Sequence, residues 1–279
     1  MNVNASNNEN KLTRTLRYLA PNAVTAGSIV FAVLALQATI RGEIMWGAWW
    51  ALYSTFTDKL DGWVARRLKA SSPIGVQLDS LADLLNYGMV PATITYAFFL
   101  RHPELGWAGG LPNAALCAIC SLYVLCAALR LARFNVSTSN PRFFFGIPST
   151  MSGAVVLALL VTLCKYGDPG WTAGENFPGP RLLGHLRMDA LMPYYPLTLL
   201  FFAWAMISGW RVPKLGAISN KAVNAYIVTN LMIGYTAGML HCLPEYLVFA
   251  SVQYLLIAVH FHLFASPPER PEPLFPSAS

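Results

Sequence analysis

The chain has 279 residues, of which 55% are apolar and only 11% charged. Soluble domains carry about 25% charged residues and disorder requires low hydrophobicity, so a water-soluble globule and a disordered chain are both excluded. The formal net charge of +6 then reads as loop bias and attraction to anionic lipid, with no nucleic-acid partner.

A membrane-spanning helix takes ~20 apolar residues, so the composition predicts an all-α, polytopic membrane bundle. The apolar segments do not alternate in polarity, which excludes a transmembrane barrel. Residues 1–10 are Asn-rich and polar and predict a disordered tail. Leu12, Leu16 and Leu19 recur at helical spacing with Lys11, Arg14 and Arg17 on other faces, which predicts a short interfacial helix over 11–20. A signal peptide is the competing reading; the apolar run that follows is too long for its core and has no A-x-A site.

About eight transmembrane helices follow, near 22–40, 44–68, 76–100, 111–134, 147–165, 190–209, 222–240 and 246–265. The second and third are unusual, because Asp58, Lys59, Asp61, Arg66 and Arg67 end one and Gln77, Asp79 and Asp83 begin the other. Both must reach water or a polar cavity on one side. Pro91 inside the third is tolerable where neighbours satisfy the freed backbone. Trp46, Trp49 and Trp50 read as an aromatic belt at the opposite end of the second span. Cys117 and Cys120 have no second pair or His cluster for zinc and read as packing residues. His260 and His262 are two apart, point to opposite helix faces and read as interfacial side chains. The 165–189 connection is rich in Gly and Pro and is expected to pack over helix ends, and 266–279 is a Pro-rich tail.

Lys and Arg divide fourteen to five between the two sides of this arrangement. The positive-inside rule places the larger group, both termini and the acidic segment in the cytoplasm. A multi-pass protein of the cell membrane is expected, with its acids facing the cytoplasm.

The informative stretch is Asp58-x-x-Asp61-Gly62-x-x-Ala65-Arg66, then eight residues, then Gly75-x-x-x-Asp79-x-x-x-Asp83. At ~100° per residue, Asp61, Gly62 and Ala65 fall within about 60° of Asp58 on one helix face. Gly75, Asp79 and Asp83 share a face of the next helix, and the short turn between makes the two antiparallel neighbours. Four carboxylates can therefore converge beside a wall with little side-chain bulk. Buried without partners they would repel and titrate upward, each costing ~2.5–3.5 kcal/mol at a bilayer centre. Oxygen ligands without His or Cys suit Mg²⁺ or Mn²⁺, and two such ions can clamp a pyrophosphate. Solvated helix ends with weak surface ion pairs are the bland alternative; an ion path through a transporter or channel is the alternative from another class.

This pattern resembles the signature of the CDP-alcohol phosphotransferase family at every fixed position. The resemblance implies a six-helix catalytic core over 21–210, leaving two additional transmembrane helices over 211–265 that the core does not explain. It also implies that Asp58, Asp61, Asp79 and Asp83 hold two divalent cations, Mg²⁺ or Mn²⁺, with Asp83 as general base. Asn22, Thr25, Gly62, Ala65, Arg66, Ser72 and Gly75 would line the site for the CDP-linked lipid. A homodimer is implied as well.

Three further segments resemble the phosphatidylserine synthase branch of that family: Arg130-Leu-Ala-Arg133-Phe134-Asn135, Phe145-Gly146-Ile147-Pro148, and Ser208 to Lys214. Gly209 and Trp210 depart from the branch in the third. The branch implies CDP-diacylglycerol and L-serine as substrates. Serine differs from other acceptor alcohols by its carboxylate, which calls for forked cationic donors at the same membrane face. Arg130, Arg133 and Asn135 are the expected acceptor-binding residues, with Arg142, Arg211 and Lys214 next. Transfer to choline, glycerol phosphate or an inositol derivative is the alternative.

Overall fold

The structure, a computed structural model, describes residues 3–68, 73–136, 143–172, 180–213 and 221–264. A helix stands at each of the eight expected spans. α1 is Val3–Arg41, α2 Ile44–Leu68, α3 Pro73–Asp83, α4 Val90–Arg101, α5 Gly110–Val136, α6 Ser149–Tyr166, α7 Pro196–Ile207, α8 Lys221–Met239 and α9 Pro244–Phe264. Four described segments are long and apolar enough to cross a membrane: Asn22–Arg41, Gly110–Val136, Ser149–Tyr166 and Pro244–Phe264. The protein is an all-α membrane bundle.

Three local expectations change. The Asn-rich segment expected to be a disordered tail is helical from Val3, and α1 runs on through Pro21 without a break. Extending an existing helix adds one hydrogen bond per residue without a new nucleation cost, so the polar turns continue the helix behind them. The span expected over 190–209 is shorter, because a 3₁₀ segment over Asp189–Tyr194 precedes α7. A two-stranded antiparallel ribbon also appears, with β1 (Phe143–Phe145) paired to β2 (Arg211–Pro213).

α6 is the central helix. Fourteen of its residues are buried, on all sides, and it packs against α2, α9, α7 and the segment between α3 and α4. That segment, Leu84–Met89, is a π-helical turn in a helix that otherwise runs on from α3 to α4. Pro91 has no N–H for the carbonyl of Tyr87, and the buried Tyr123 hydroxyl donates to that carbonyl at 3.0 Å. A neighbouring helix thus satisfies the backbone group that proline frees. Gly153 of α6 makes the close approach possible, since a Cβ there would lie 2.9 Å from Cα of Tyr87.

The ribbon is fastened to the end of α7. Gly146 N–H donates to Trp210 O at 2.8 Å and Ile147 N–H to Ala205 O at 3.0 Å. Gly146 has φ +73°, and a Cβ would meet Met206 O at 2.2 Å, so only glycine fits the turn.

α8 and α9 are tied to the bundle at both ends of α9. At one end the Lys165 ammonium meets Glu245 at 2.9 and 3.1 Å, with both side chains buried. Glu245 also accepts from the Tyr166 hydroxyl at 2.8 Å and from Leu182 N–H at 3.2 Å. Part of the 165–189 connection therefore does pack over helix ends, held by this carboxylate. At the other end Arg211 N–H donates to Nδ1 of His262 at 3.3 Å, and Nη2 to His262 O at 2.6 Å. His262 is thus a tether to β2, not merely an interfacial side chain. The turn between α8 and α9 places His241 and Leu243 at φ +54° and +53°. The His241 ring stacks on Trp49 at 4.8 Å and lies edge-on to Trp46 at 5.0 Å. Trp49 is 2% exposed, so this part of the expected belt grips a protein turn.

Removing one partner of a buried ion pair leaves an uncompensated charge, at a cost of about 3–5 kcal/mol. Glu245→Ala should therefore lower the unfolding midpoint of the detergent-purified protein and open α9 to proteolysis. Replacing both Lys165 and Glu245 by Met should restore most of the loss, as a thermal melt of the three variants would show.

Candidate active site

α2 carries Asp58 near its C-terminal end, and α3 carries Asp79 and Asp83 one turn apart on a single face. Carboxylate oxygens of Asp58, Asp79 and Asp83 all lie within 4.8 Å of one another. Asp79 is exposed, whereas Asp58 and Asp83 are half-buried. Asp61, Gly62, Ala65 and Arg66 follow on α2, where only the backbone is described, and Ser72 lies outside the described residues. Gly75 is half-buried at the start of α3.

α1 closes another side and packs on α3 and the π turn. Asn22 is half-buried and Thr25 is 5% exposed. One turn on, the Ser28 hydroxyl donates to Thr25 O at 2.7 Å and accepts from Asn86 Nδ2 at 3.3 Å. Sequence reasoning missed Asn86 and Ser28. The available signal was an Asn three residues after Asp83, inside an otherwise apolar run.

α5 supplies the cations, and its two arginines part company. Arg130 is 7% exposed, interacts electrostatically with Asp83, and donates from Nη1 to the buried Ser149 hydroxyl at 2.9 Å. Its Nε is buried without a hydrogen-bond partner. Arg133 is turned toward the ribbon, with Nη1 on Ile207 O at 3.3 Å and Nη2 on Phe145 O at 3.1 Å. It ties the C-terminus of α7 to β1, where a cation also suits the helix dipole. Asn135 donates to the Ser80 hydroxyl at 2.9 Å and so fastens the end of α5 beside Asp79. Arg142 and Lys214 lie outside the described residues, and Arg211 holds α9.

The donor set fits a divalent cation. Three carboxylates supply hard oxygens, and no His or Cys joins the cluster among the described residues, which suits Mg²⁺ or Mn²⁺ over softer metals. The closeness of like charges is itself a reason for a cation, since an opposite charge among them offsets their repulsion.

The family model for CDP-alcohol phosphatidyltransferase matches residues 18–206. The chain belongs to this family of membrane-embedded transferases. Several similar proteins are named CDP-diacylglycerol–serine O-phosphatidyltransferase. That of Helicobacter pylori strain J99 is 37% identical over 54% of this chain and 59% of its own length. That of Mycobacterium tuberculosis H37Rv is 30% identical over 56% of this chain and 54% of its own. That of Saccharomyces cerevisiae is 32% identical over 65% and 64%. The chain thus spans somewhat over half the length of these relatives. The family match ends at Met206, so α8 and α9 lie beyond it.

Purified protein should bind Mn²⁺, read from the loss of the free-ion EPR signal. Asp58→Asn or Asp79→Asn should weaken that binding at least tenfold while the protein still inserts and folds.

Proposed function

We propose that the protein transfers the phosphatidyl group of CDP-diacylglycerol to the hydroxyl of L-serine, releasing CMP, at the cytoplasmic face of the cell membrane. The observation that carries the choice of acceptor is Arg130, a buried guanidinium within electrostatic range of Asp83 whose Nε has no hydrogen-bond partner. The names of the similar proteins support the same choice, and the Lys and Arg distribution supports the orientation.

The serine hydroxyl attacks the phosphorus bonded to the lipid. An oxygen–phosphorus bond forms to serine, the bond to the bridging oxygen breaks, and CMP departs with that oxygen. Asp83 takes the hydroxyl proton, which requires hydrogen-bond reach. Direct displacement is favoured because no Ser, Cys or His stands at a fixed position of the motif. Asp58, Asp61, Asp79 and Asp83 would hold two divalent cations, which when bound neutralise charge on the pyrophosphate. Gly62, Ala65 and Gly75 let the nucleotide approach the backbone closely. Arg66 offers its fork to a phosphate, and Asn22, Thr25 and Ser72 complete the nucleotide side. Arg130 receives the serine carboxylate. Arg133 and Asn135 act indirectly, by holding the ribbon and α3 in place around it.

CMP release should be measured with CDP-diacylglycerol and serine, choline, glycerol phosphate or inositol phosphate. Serine is the expected acceptor; turnover with another alcohol and none with serine would move the protein to another branch. Loss of a charge-assisted contact costs about 1.5–3 kcal/mol, so Arg130→Ala should raise KM for serine roughly ten- to 150-fold and leave KM for the lipid nearly unchanged. Arg133→Ala should instead lower thermal stability and expression. An Arg130→Ala variant with normal serine KM would remove the carboxylate site from α5.

A further inference from the structure

Serine carries three polar groups, and the residues above receive two of them. We infer that Asn86 receives the third, the ammonium group, through its side-chain carbonyl, an inference that rests on serine being the acceptor.

Asn86 is 1% exposed and stands in the π turn, three residues after Asp83. Its Nδ2 donates to Ala82 O at 3.0 Å and to the Ser28 hydroxyl at 3.3 Å. Ala82 O can only accept, so the nitrogen must face it and the amide cannot be flipped. The carbonyl is thereby turned away from both partners. Oδ1 is buried and has no hydrogen-bond partner. Buried polar atoms are almost always paired in folded proteins, and an exception calls for an explanation.

The explanation lies in the pairing of this exception with another. Arg130 Nε is also buried without a partner, on a helix that packs against the π turn. Arg130 interacts with Asp83, and Asn86 lies about 4.5 Å along the helix from the same residue at ~1.5 Å per residue. One orphan is a donor and the other an acceptor, on two elements that pack against each other, one of them directly after Asp83 in the chain. Zwitterionic serine has the complementary set: a carboxylate and an ammonium on Cα, and a hydroxyl on the neighbouring carbon.

Asn86 would then discriminate serine from acceptors that lack an amine. The test compares wild type, Asn86→Ala and Asn86→Asp by CMP release, with KM for serine and the inhibition constant of 3-hydroxypropanoate, which is serine without its amine. Asn86→Ala should raise KM for serine at least tenfold while the inhibition constant of 3-hydroxypropanoate and KM for CDP-diacylglycerol stay within twofold. Asn86→Asp keeps an oxygen in place but loses the donors to Ala82 and Ser28, so it should retain serine binding. Equal losses for serine and 3-hydroxypropanoate in Asn86→Ala, or a serine loss in Asn86→Asp as large as in Asn86→Ala, would overturn the inference and leave Asn86 a structural residue. If Asn86→Ala does not fold, Asn86→Asp decides alone: near-wild-type KM for serine supports the carbonyl role and a tenfold rise overturns it. A wild type that uses other alcohols but not serine would instead overturn the serine reading, and this inference with it.

Discussion

Three carboxylates whose oxygens lie within 4.8 Å of one another repel. Near a protein surface, two unit charges 4 Å apart interact by about 4 kcal/mol. Holding such a group together takes rigid elements, and a cation would offset the repulsion; much of the bundle can be read as the means to the first. α2 and α3 present the acids from neighbouring helices. α1 backs α3 and the π turn, and α5 brings Arg130 within electrostatic range of Asp83. The ribbon and the end of α7 take the Arg133 guanidinium, whereas Arg130 donates to Ser149. A pair that looks equivalent along a helix is divided in its partners by what lies opposite each member.

The second constraint is that backbone groups inside a bilayer must be satisfied within the protein. Pro91 breaks the ladder within the helix that bears Asp83, and Tyr123 repairs it from α5. The π turn that accommodates this packing brings Asn86 to α1. π-helical turns are frequent at functional sites, and here the turn follows directly on an acidic residue of the cluster.

α8 and α9 lie outside the family match yet are not loosely appended. Their attachment uses a buried ion pair at one end and backbone bonds to β2 at the other. A buried ion pair adds little net stability because desolvation offsets its attraction. Its value is geometric, since the Lys165–Glu245 match fixes how α9 seats against α6.

By itself the sequence determined the membrane bundle, the positions of its helices and the shared faces of the acids. Those properties are local: apolar run length and a period of 3.6 residues are properties of consecutive residues, and Asp79 and Asp83 must share a face on any helix. The split between Arg130 and Arg133, the orphaned carbonyl of Asn86, the role of Trp49 and the pairing of Lys165 with Glu245, 80 residues away, were decided only by tertiary structure. Arg130 and Arg133 are the same residue type three positions apart, and only the Ser149 hydroxyl opposite one and the carbonyls of Phe145 and Ile207 opposite the other distinguish them. The continuous α1 and the π turn belong to the same class. Each depends on a balance between local propensity and packing from distant segments, and a residue's own neighbours in the chain carry no record of which distant partner it will meet.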